Sequence, residues 1–157
     1  FVDLKRYEII ITGRTRHFLS LVGEHLSVEN MIQGLQKVSQ AKQISIPEFT
    51  VAGVPYGTFF AHHWYLACDD KANAEEIKLL LDDALKVLND DYAVERRHAL
   101  REVIVELLPE QVFLDFMASK GKLGGQHKFP RVMKGHMLQD WQLFVAKYKN
   151  TKAKPIA

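Results

Sequence analysis

FTVAGVPYGTFFAHHWYLAC, residues 49–68, contains two runs of aromatic and β-branched residues. The runs are FTVAGV (49–54) and TFFAHHWYLAC (58–68), and Pro55-Tyr56-Gly57 lies between them. Aromatic and β-branched side chains favour pleated strands, whereas proline and glycine favour turns. We therefore predict two neighbouring strands joined by a turn, so a sheet is part of the fold.

Other short runs predict further strands. YEIIIT (7–12) is apolar, rich in β-branched residues and ends at Gly13. HFLSLVGEHLS (17–27) predicts two short strands bent at Gly23-Glu24, and VIVELL (103–108) predicts another.

Four segments have the pattern of amphipathic helices, with signals at their ends. Ser27 is the expected N-cap of the first, and Asn73 with Glu76 forms a capping box for the second. Pro109 suits the first position of the third, which Gly121 ends. The predicted helices are SVENMIQGLQKVSQAKQ (27–43), NAEEIKLLLDDALKVLND (73–90), EQVFLDFMASK (110–120) and HMLQDWQLFVAKY (136–148).

The irregular alternation of strands and helices predicts an α+β fold, with a small mixed β-sheet flanked by helices. No linker, repeat or low-complexity tract divides residues 1–147, so they form one predicted domain. Residues 148–157 carry lysines, a proline and little that is apolar, so we expect a frayed basic tail.

Composition excludes several classes of protein. The 157 residues are 47% hydrophobic and 25% charged, as in a globular domain, and no apolar run approaches the roughly 20 residues that span a bilayer. The net charge of +2 is too small to predict a nucleic-acid partner. The single cysteine, Cys68, excludes an intramolecular disulfide and indicates a cytoplasmic location.

The amino-terminal sequence suggests a domain cut from a longer chain. It opens on Phe1 without methionine, and FVDLKRYE carries charges where a secretory signal needs apolar residues. We expect an excised domain without a signal peptide.

One stretch, SKGKLGGQHKFPR (119–131), is both basic and rich in glycine. We call it the basic loop; it contains Lys120, Lys122, Lys128 and Arg131, and no acid lies between Asp115 and Asp140. Gly121, Gly124 and Gly125 let the backbone move and approach a ligand closely. Composition leaves two interpretations open, a solvated turn or a mobile loop that binds a polyphosphate.

GRTR (13–16) places Arg14 and Arg16 after a predicted strand. A solvated turn and a phosphate or ribose contact both fit, because guanidinium groups suit phosphate oxygens.

Other polar residues give weaker signals. His62 and His63 are adjacent in a strand, so their side chains point to opposite faces and cannot share a metal ion. The aspartate pairs at 69–70, 82–83 and 90–91 are predicted to be helix caps and helix surface, and Cys68 is predicted to be a core residue. No metal site is expected.

Two stretches resemble motifs of the adenylate-forming enzymes. GRTRHFLSLVGEHLSVENM (13–31) resembles their Gly-Arg hinge motif, and GGQHKFPR (124–131) resembles their terminal lysine motif. Taken together they are most similar to the auxin-responsive acyl acid–amido synthetases (the Gretchen Hagen family), especially bacterial members. The resemblance covers essentially the whole chain, as the carboxy-terminal domain of such an enzyme.

This resemblance implies a two-step ligase that uses ATP and Mg²⁺. A carboxylic acid is first adenylated, and an amine, typically an amino acid, then displaces AMP to form an amide. The smaller domain rotates between the steps. The partners implied are a large N-terminal domain of the same chain and small carboxylic acid and amine substrates, with no nucleic acid and no membrane. That N-terminal domain would hold the acyl pocket and most ATP contacts, so the isolated chain should be inactive.

The same resemblance assigns roles to individual residues. Lys128 is the implied catalytic residue at the phosphates of the first step, and Arg14 and Arg131 are implied nucleotide or phosphate ligands. Arg16 stands at the hinge, where the superfamily commonly has Asp or Lys. Gly23 and Glu24 form a loop that faces the active site of the second step.

Two other functions remain open at this point. One is the same domain in an acyl-CoA synthetase of the phenylacetate-ligase type, with coenzyme A as acceptor. The other, of a different class, is a non-enzymatic module that binds phosphate or nucleic acid through the basic loop.

Overall fold

The computed structural model describes residues 2–3, 8–9, 18–20, 24–68, 71–122 and 128–153. Its elements in chain order are β1 (Val2–Asp3), β2 (Glu8–Ile9), β3 (Phe18–Leu19), β4 (Leu26–Ser27), α1 (Val28–Lys42), β5 (Phe49–Tyr56), β6 (Phe59–Ala67), α2 (Ala74–Leu88), α3 (Asp90–Glu95), β7 (Leu100–Leu108), α4 (Glu110–Ser119) and α5 (Gly135–Ala153).

The largest described sheet has three strands in the order β5-β6-β7. β5 and β6 form the predicted hairpin, antiparallel, with Phe49 opposite Leu66 and Tyr56 opposite Phe59. β7 lies parallel to β6, with Val103 opposite His62. The sheet is therefore mixed and flanked by helices, which confirms the predicted α+β fold.

One face of the sheet packs against α1 and α2. The core on this face includes Val38, Trp64, Leu81 and Leu85, all fully buried. A Cβ added at Gly34 of α1 would lie 3.0 Å from Leu85 Cδ2. Glycine therefore allows the two helices to approach closely, which explains a residue that otherwise weakens a helix.

The opposite face packs against α4, α5 and the end of the basic loop. Its core is aromatic, with Phe113, Phe116, Phe129 and Trp141 buried together. The ring centroids of Phe113, Phe116 and Phe129 lie 5.0–5.3 Å from that of Trp141. Rings at this separation attract one another beyond their buried area, so this cluster anchors the second layer of helices.

Two predicted helix starts are confirmed by their caps. Ser27 Oγ accepts a hydrogen bond from Asn30 N (3.1 Å), and the Asn30 side chain accepts one from Ser27 N. The Asn73 side chain accepts from the backbone N–H groups of Glu75 and Glu76. The predicted capping box at Asn73 is only half formed, because the side chain of Glu76 pairs with Lys42 at the end of α1. Glu76 therefore joins two helices.

Several predicted boundaries differ from the structure. Pro55 and Tyr56 belong to β5, so the turn lies at residues 57–58. α4 begins at Glu110, one residue after Pro109. α5 continues to Ala153, so most of the tail that we expected to fray from residue 148 is helical.

The amino-terminal strands are short where they are described. β1 pairs with β2, which is the described part of the predicted 7–12 strand, and β3 pairs with β4 on either side of the predicted bend. Of the helices in the described residues, none has the length and apolar content needed to cross a membrane.

Candidate functional site

The basic loop follows α4, and the structure describes its two ends. Residues 119–122 and 128–131 are described, whereas residues 123–127, with Gly124 and Gly125, lie outside the described residues. At the first end, Ser119 Oγ donates a hydrogen bond to the carbonyl of Phe116 (2.6 Å). Gly121 has a φ of 66°, a left-handed conformation that glycine adopts without strain. The chain therefore leaves α4 through a turn that requires glycine.

The first lysine of the loop is engaged within the domain. Lys120 forms an ion pair with Asp140 of α5, and its ammonium lies 5.6 Å from the centroid of the Phe116 ring. These contacts join the start of the loop to α5. Lys122, two residues later, is exposed.

Lys128 is the exposed cation at the other end of the loop. No hydrogen bond or ion pair joins its side chain to any part of the chain that the structure describes. The next residue, Phe129, is only 5% exposed and packs against Phe113, with ring centroids 4.9 Å apart. The ammonium of Lys128 is thus available to a ligand, while its neighbour fixes the backbone beside it.

Arg131 has its guanidinium bound within the domain. Nη1 pairs with the Glu48 carboxylate and donates to the carbonyl of Phe49 (3.1 Å), and Cζ lies 4.5 Å from the centroid of the Phe49 ring. We predicted Arg131 as a phosphate ligand, which stays a prediction; in this structure its Nη1 is engaged by Glu48 and Phe49. Sequence analysis missed Glu48 because it lies 83 residues earlier in the chain.

Glu24, predicted to lie on the loop of the second step, is fully buried. Its Oε1 lies 3.0 Å from Nε2 of His62 on β6, which is also fully buried. Burial lowers the pKa of His62 and outweighs the opposing effect of Glu24. The carboxylate of Glu24 therefore faces the interior of the domain. The other predicted residues of the amino-terminal motif, Arg14, Arg16 and Gly23, lie outside the described residues.

A buried polar network around Asp82 was not predicted. We expected Asp82 and Asp83 on the helix surface, but the Asp82 side chain is 10% exposed, against 79% for Asp83. Arg96 donates to both carboxylate oxygens of Asp82 (2.8 and 3.0 Å), and the hydroxyl of Tyr92 donates to Oδ1 (2.6 Å). Burial alone would raise the pKa of Asp82, but these hydrogen bonds lower it. The surface prediction for Asp82 is wrong because its partners come from α3 and the turn after it.

His63 belongs to a second cluster, on the opposite face of β6. Its Nε2 lies 3.0 Å from Oε2 of Glu106, and its ring stacks on Tyr65 with centroids 4.1 Å apart. Burial and the charge of Glu106 raise the pKa of Tyr65 to about 12. Lys149 also pairs with Glu106, so the cluster ties α5 to the sheet. The prediction that His62 and His63 point to opposite faces is confirmed.

A cleft of about 580 Å³ opens at the carboxyl ends of β6 and β7. It is lined by Gln43, Ile44, Ser45, Pro47, Ala67, Cys68, Pro109 and Glu110. Cys68 is 6% exposed, so its prediction as a core residue is confirmed. Within the described ranges, no group of three or more His, Cys, Asp or Glu side chains is placed to hold a metal ion.

Comparison with known proteins identifies a family for most of this chain. The sequence profile described as "GH3 family C-terminal domain" matches residues 27–136, which include α1 to α4, the whole three-stranded sheet and the basic loop. A comparison with curated proteins found no significant match.

Two solved structures share the fold. One is described as "GH3.15 acyl acid amido synthetase", with 13% identity and a TM-score of 0.65 over 80% of this chain. The other, "AtGH3.15 acyl acid amido synthetase in complex with 2,4-DB", has 14% identity and a TM-score of 0.65 over 83% of this chain. The match spans about a quarter of the length of each, 26% in both cases.

Proposed function

Because this chain belongs to the GH3 family, in which it matches the C-terminal domain, we propose that it is the smaller, mobile domain of an ATP-dependent ligase. The full-length enzyme activates a carboxylic acid as its adenylate and conjugates it to an amine, and the amine is an amino acid. The two structural neighbours are both described as acyl acid amido synthetases, which supports this proposal.

The observation that carries the proposal is the position of Lys128. It is an exposed cation with an anchored neighbour, in a loop that contains no acid. A polyphosphate attracts such a cation, and the fixed backbone limits the entropy lost when the contact forms. Lys120 and Arg131 are less suited to this role, because each is already paired with a carboxylate.

The first half-reaction explains why one ammonium matters. A carboxylate oxygen of the acid attacks the α-phosphorus of ATP, a new P–O bond forms, and the bond to pyrophosphate breaks. Negative charge increases on the departing pyrophosphate. A positioned ammonium stabilises this charge more than it stabilises bound ATP, so Lys128 accelerates adenylation.

In the second half-reaction the amine nitrogen attacks the carbonyl carbon of the acyl-adenylate, loses a proton, and AMP leaves. Lys128 has no role in this step, because the pyrophosphate has gone and the domain has rotated. The hinge at Arg16 permits the rotation, and the backbone at Gly23 and Glu24 then borders the active site. Arg14 contacts the nucleotide. The side chain of Glu24 serves as an internal anchor, since it is fully buried against His62.

ATP and Mg²⁺ bind mainly outside this domain. Mg²⁺ requires oxygen ligands and is commonly bound through one or two carboxylates together with substrate phosphates. The metal would be held by ATP phosphates and by the large N-terminal domain, where it neutralises phosphate charge. This domain supplies Lys128 and the nucleotide contact of Arg14, whereas the acyl pocket lies in the N-terminal domain, so the isolated chain has no ligase activity.

The proposal is tested by measuring AMP release from the full-length enzyme with a panel of carboxylic acids. ATP-dependent AMP release with amino acids as acceptors, and not with coenzyme A, supports it. Release only with coenzyme A would indicate an acyl-CoA synthetase of the phenylacetate-ligase type. Salt-dependent binding of DNA or RNA without any AMP release would contradict the ligase assignment.

A further inference from the structure

The chain leaves the basic loop through three consecutive residues, of which the first and third are anchored by contacts and the second is proline. Phe129 is buried in the aromatic cluster of α4 and α5. Pro130 follows, and its ring restricts φ to about −65°. Arg131 then pairs with Glu48, and its carbonyl accepts a hydrogen bond from Val51 N (2.9 Å). These contacts hold the segment after Lys128 to two parts of the domain.

The backbone of this segment extends the sheet. Val132 forms a parallel bridge with Val51 of β5, and Met133 N donates to the Val51 carbonyl (2.9 Å). The bridge places Arg131 beside the first residues of β5. Strand pairing therefore fixes the end of the basic loop against the sheet.

The guanidinium of Arg131 adds the long-range part of this anchor. It contacts the Glu48 carboxylate, the Phe49 carbonyl and the Phe49 ring at the same time. The side chains of Arg131 and Glu48 are 28% and 24% exposed, so solvent screens the pair only in part. A lysine has the charge but lacks the planar group that stacks and donates at once.

We infer that Arg131 is a positioning residue, which holds the end of the basic loop on β5 and thereby fixes the backbone of Lys128. Three residues span at most about 10 Å, so an anchor at Arg131 closely restricts Lys128. A displacement of about 1 Å can reduce a catalysed rate by roughly 100-fold. The anchoring claim stands on the contacts alone, whereas its catalytic consequence rests on the proposed function.

Backbone relaxation tests the anchoring without any assay of activity. In ¹⁵N relaxation of the 157-residue chain, we expect the Lys128 amide to have an order parameter near that of the helices, about 0.85. Arg131→Gln removes both the ion pair with Glu48 and the stacking on Phe49. Glu48→Gln keeps Arg131 but removes the charge of its partner, which weakens the pair. Both should lower the order parameter at Lys128 towards about 0.6.

Arg101→Gln is the matched control. Arg101 also lies 4.5 Å from the centroid of a phenylalanine ring, that of Phe59, but it stands on β7, and no hydrogen bond or ion pair joins it to the described ends of the loop, residues 119–122 and 128–131. This variant should leave Lys128 unchanged. The inference is overturned if Lys128 is already mobile in the wild type, or if it stays equally ordered in both Arg131→Gln and Glu48→Gln.

The catalytic consequence is measured in the full-length enzyme. Arg131→Lys should slow adenylation by roughly 10- to 100-fold, and amide formation from supplied acyl-adenylate should stay near the wild-type rate. If Arg131 had a purely structural role, its substitution would lower the rates of both half-reactions together. If Arg131→Gln frees Lys128 but neither it nor Lys128→Ala slows adenylation, the anchor is upheld and the proposed function fails.

Discussion

Nε2 of His62 lies 3.0 Å from Oε1 of Glu24, and neither side chain is exposed to solvent. Nδ1 of His62 has no hydrogen-bond partner among the described atoms. This arrangement fits a neutral ring that donates Nε2–H to the carboxylate, because a cationic ring would bury an unpaired N–H. The pair joins the segment just before β4 to β6, the central strand of the sheet.

The first prediction compares the two adjacent histidines of β6. His62→Ala leaves a cavity in the core and removes the ring that faces the buried Glu24 carboxylate, so it should lower the free energy of unfolding by about 3 kcal/mol or more. His63→Ala should cost about 1 kcal/mol, because its ring and Glu106 are each 18% exposed and Glu106 keeps Lys149. Urea unfolding of both variants measures the difference. Equal losses of unfolding free energy in the two variants would contradict the greater stabilising role of the buried His62 side chain.

The second prediction concerns pH. Burial lowers the pKa of His62 in the folded chain below its ordinary 6.5. Above pH 6.5 the ring is neutral in both the folded and the unfolded chain, so its contribution to stability is fully present there. As the pH falls below 6.5, the unfolded chain binds a proton that the folded chain does not. Stability should then decrease by up to about 1.4 kcal/mol per pH unit from this group.

Urea unfolding at pH 7.5 and 5.5 checks the pH prediction. The wild type should lose more stability between these conditions than His62→Gln, which has no titrating ring. An NMR titration in which the His62 ring takes up its proton at or above pH 6.5 would refute it.

The third prediction compares two adjacent aspartates of α2. Asp82→Asn weakens the buried contacts with Arg96 and Tyr92, so the free energy of unfolding should fall by about 2–4 kcal/mol. Asp83→Asn should change it by less than about 0.5 kcal/mol, because its side chain is 79% exposed. Thermal and urea unfolding of both variants provide the comparison. A similar effect at both positions would mean that the network adds little stability.

Local signals in the sequence predicted much of the fold. The caps at Ser27 and Asn73 follow from side chains that bond the backbone a few residues away. The opposite orientation of His62 and His63 follows from the two-residue period of a strand. Such features depend on neighbours in the chain, so they can be predicted without knowledge of the tertiary contacts.

The polar contacts that shape the candidate site could not be predicted in this way. The Glu24–His62 pair joins residues 38 apart, and the Arg131–Glu48 pair joins residues 83 apart. A charged residue on a helix or in a basic loop is usually exposed, and only packing determines which one is buried with a partner. Packing therefore decides that the guanidinium of Arg131 contacts Glu48 and Phe49, and its role as a phosphate ligand stays a prediction.

The fourth prediction concerns the isolated chain. It should fold as a soluble unit, because both faces of its sheet are covered by helices that bury a core. It should release no AMP from ATP with any carboxylic acid, since the proposed acyl pocket lies in the N-terminal domain. Folding is checked by NMR and activity by an AMP assay. ATP-dependent AMP production by the chain alone would contradict the proposal that the N-terminal domain is required for adenylation.

The most direct test of the account separates the two half-reactions in the full-length enzyme that carries Lys128→Ala. Formation of acyl-adenylate should slow by about 10²- to 10³-fold, and amide formation from supplied acyl-adenylate should remain nearly intact. Lys122→Ala, which removes an exposed lysine at the other end of the loop, should cost far less. If Lys128→Ala slows both half-reactions equally, or slows neither, Lys128 is not the residue that stabilises the adenylation transition state.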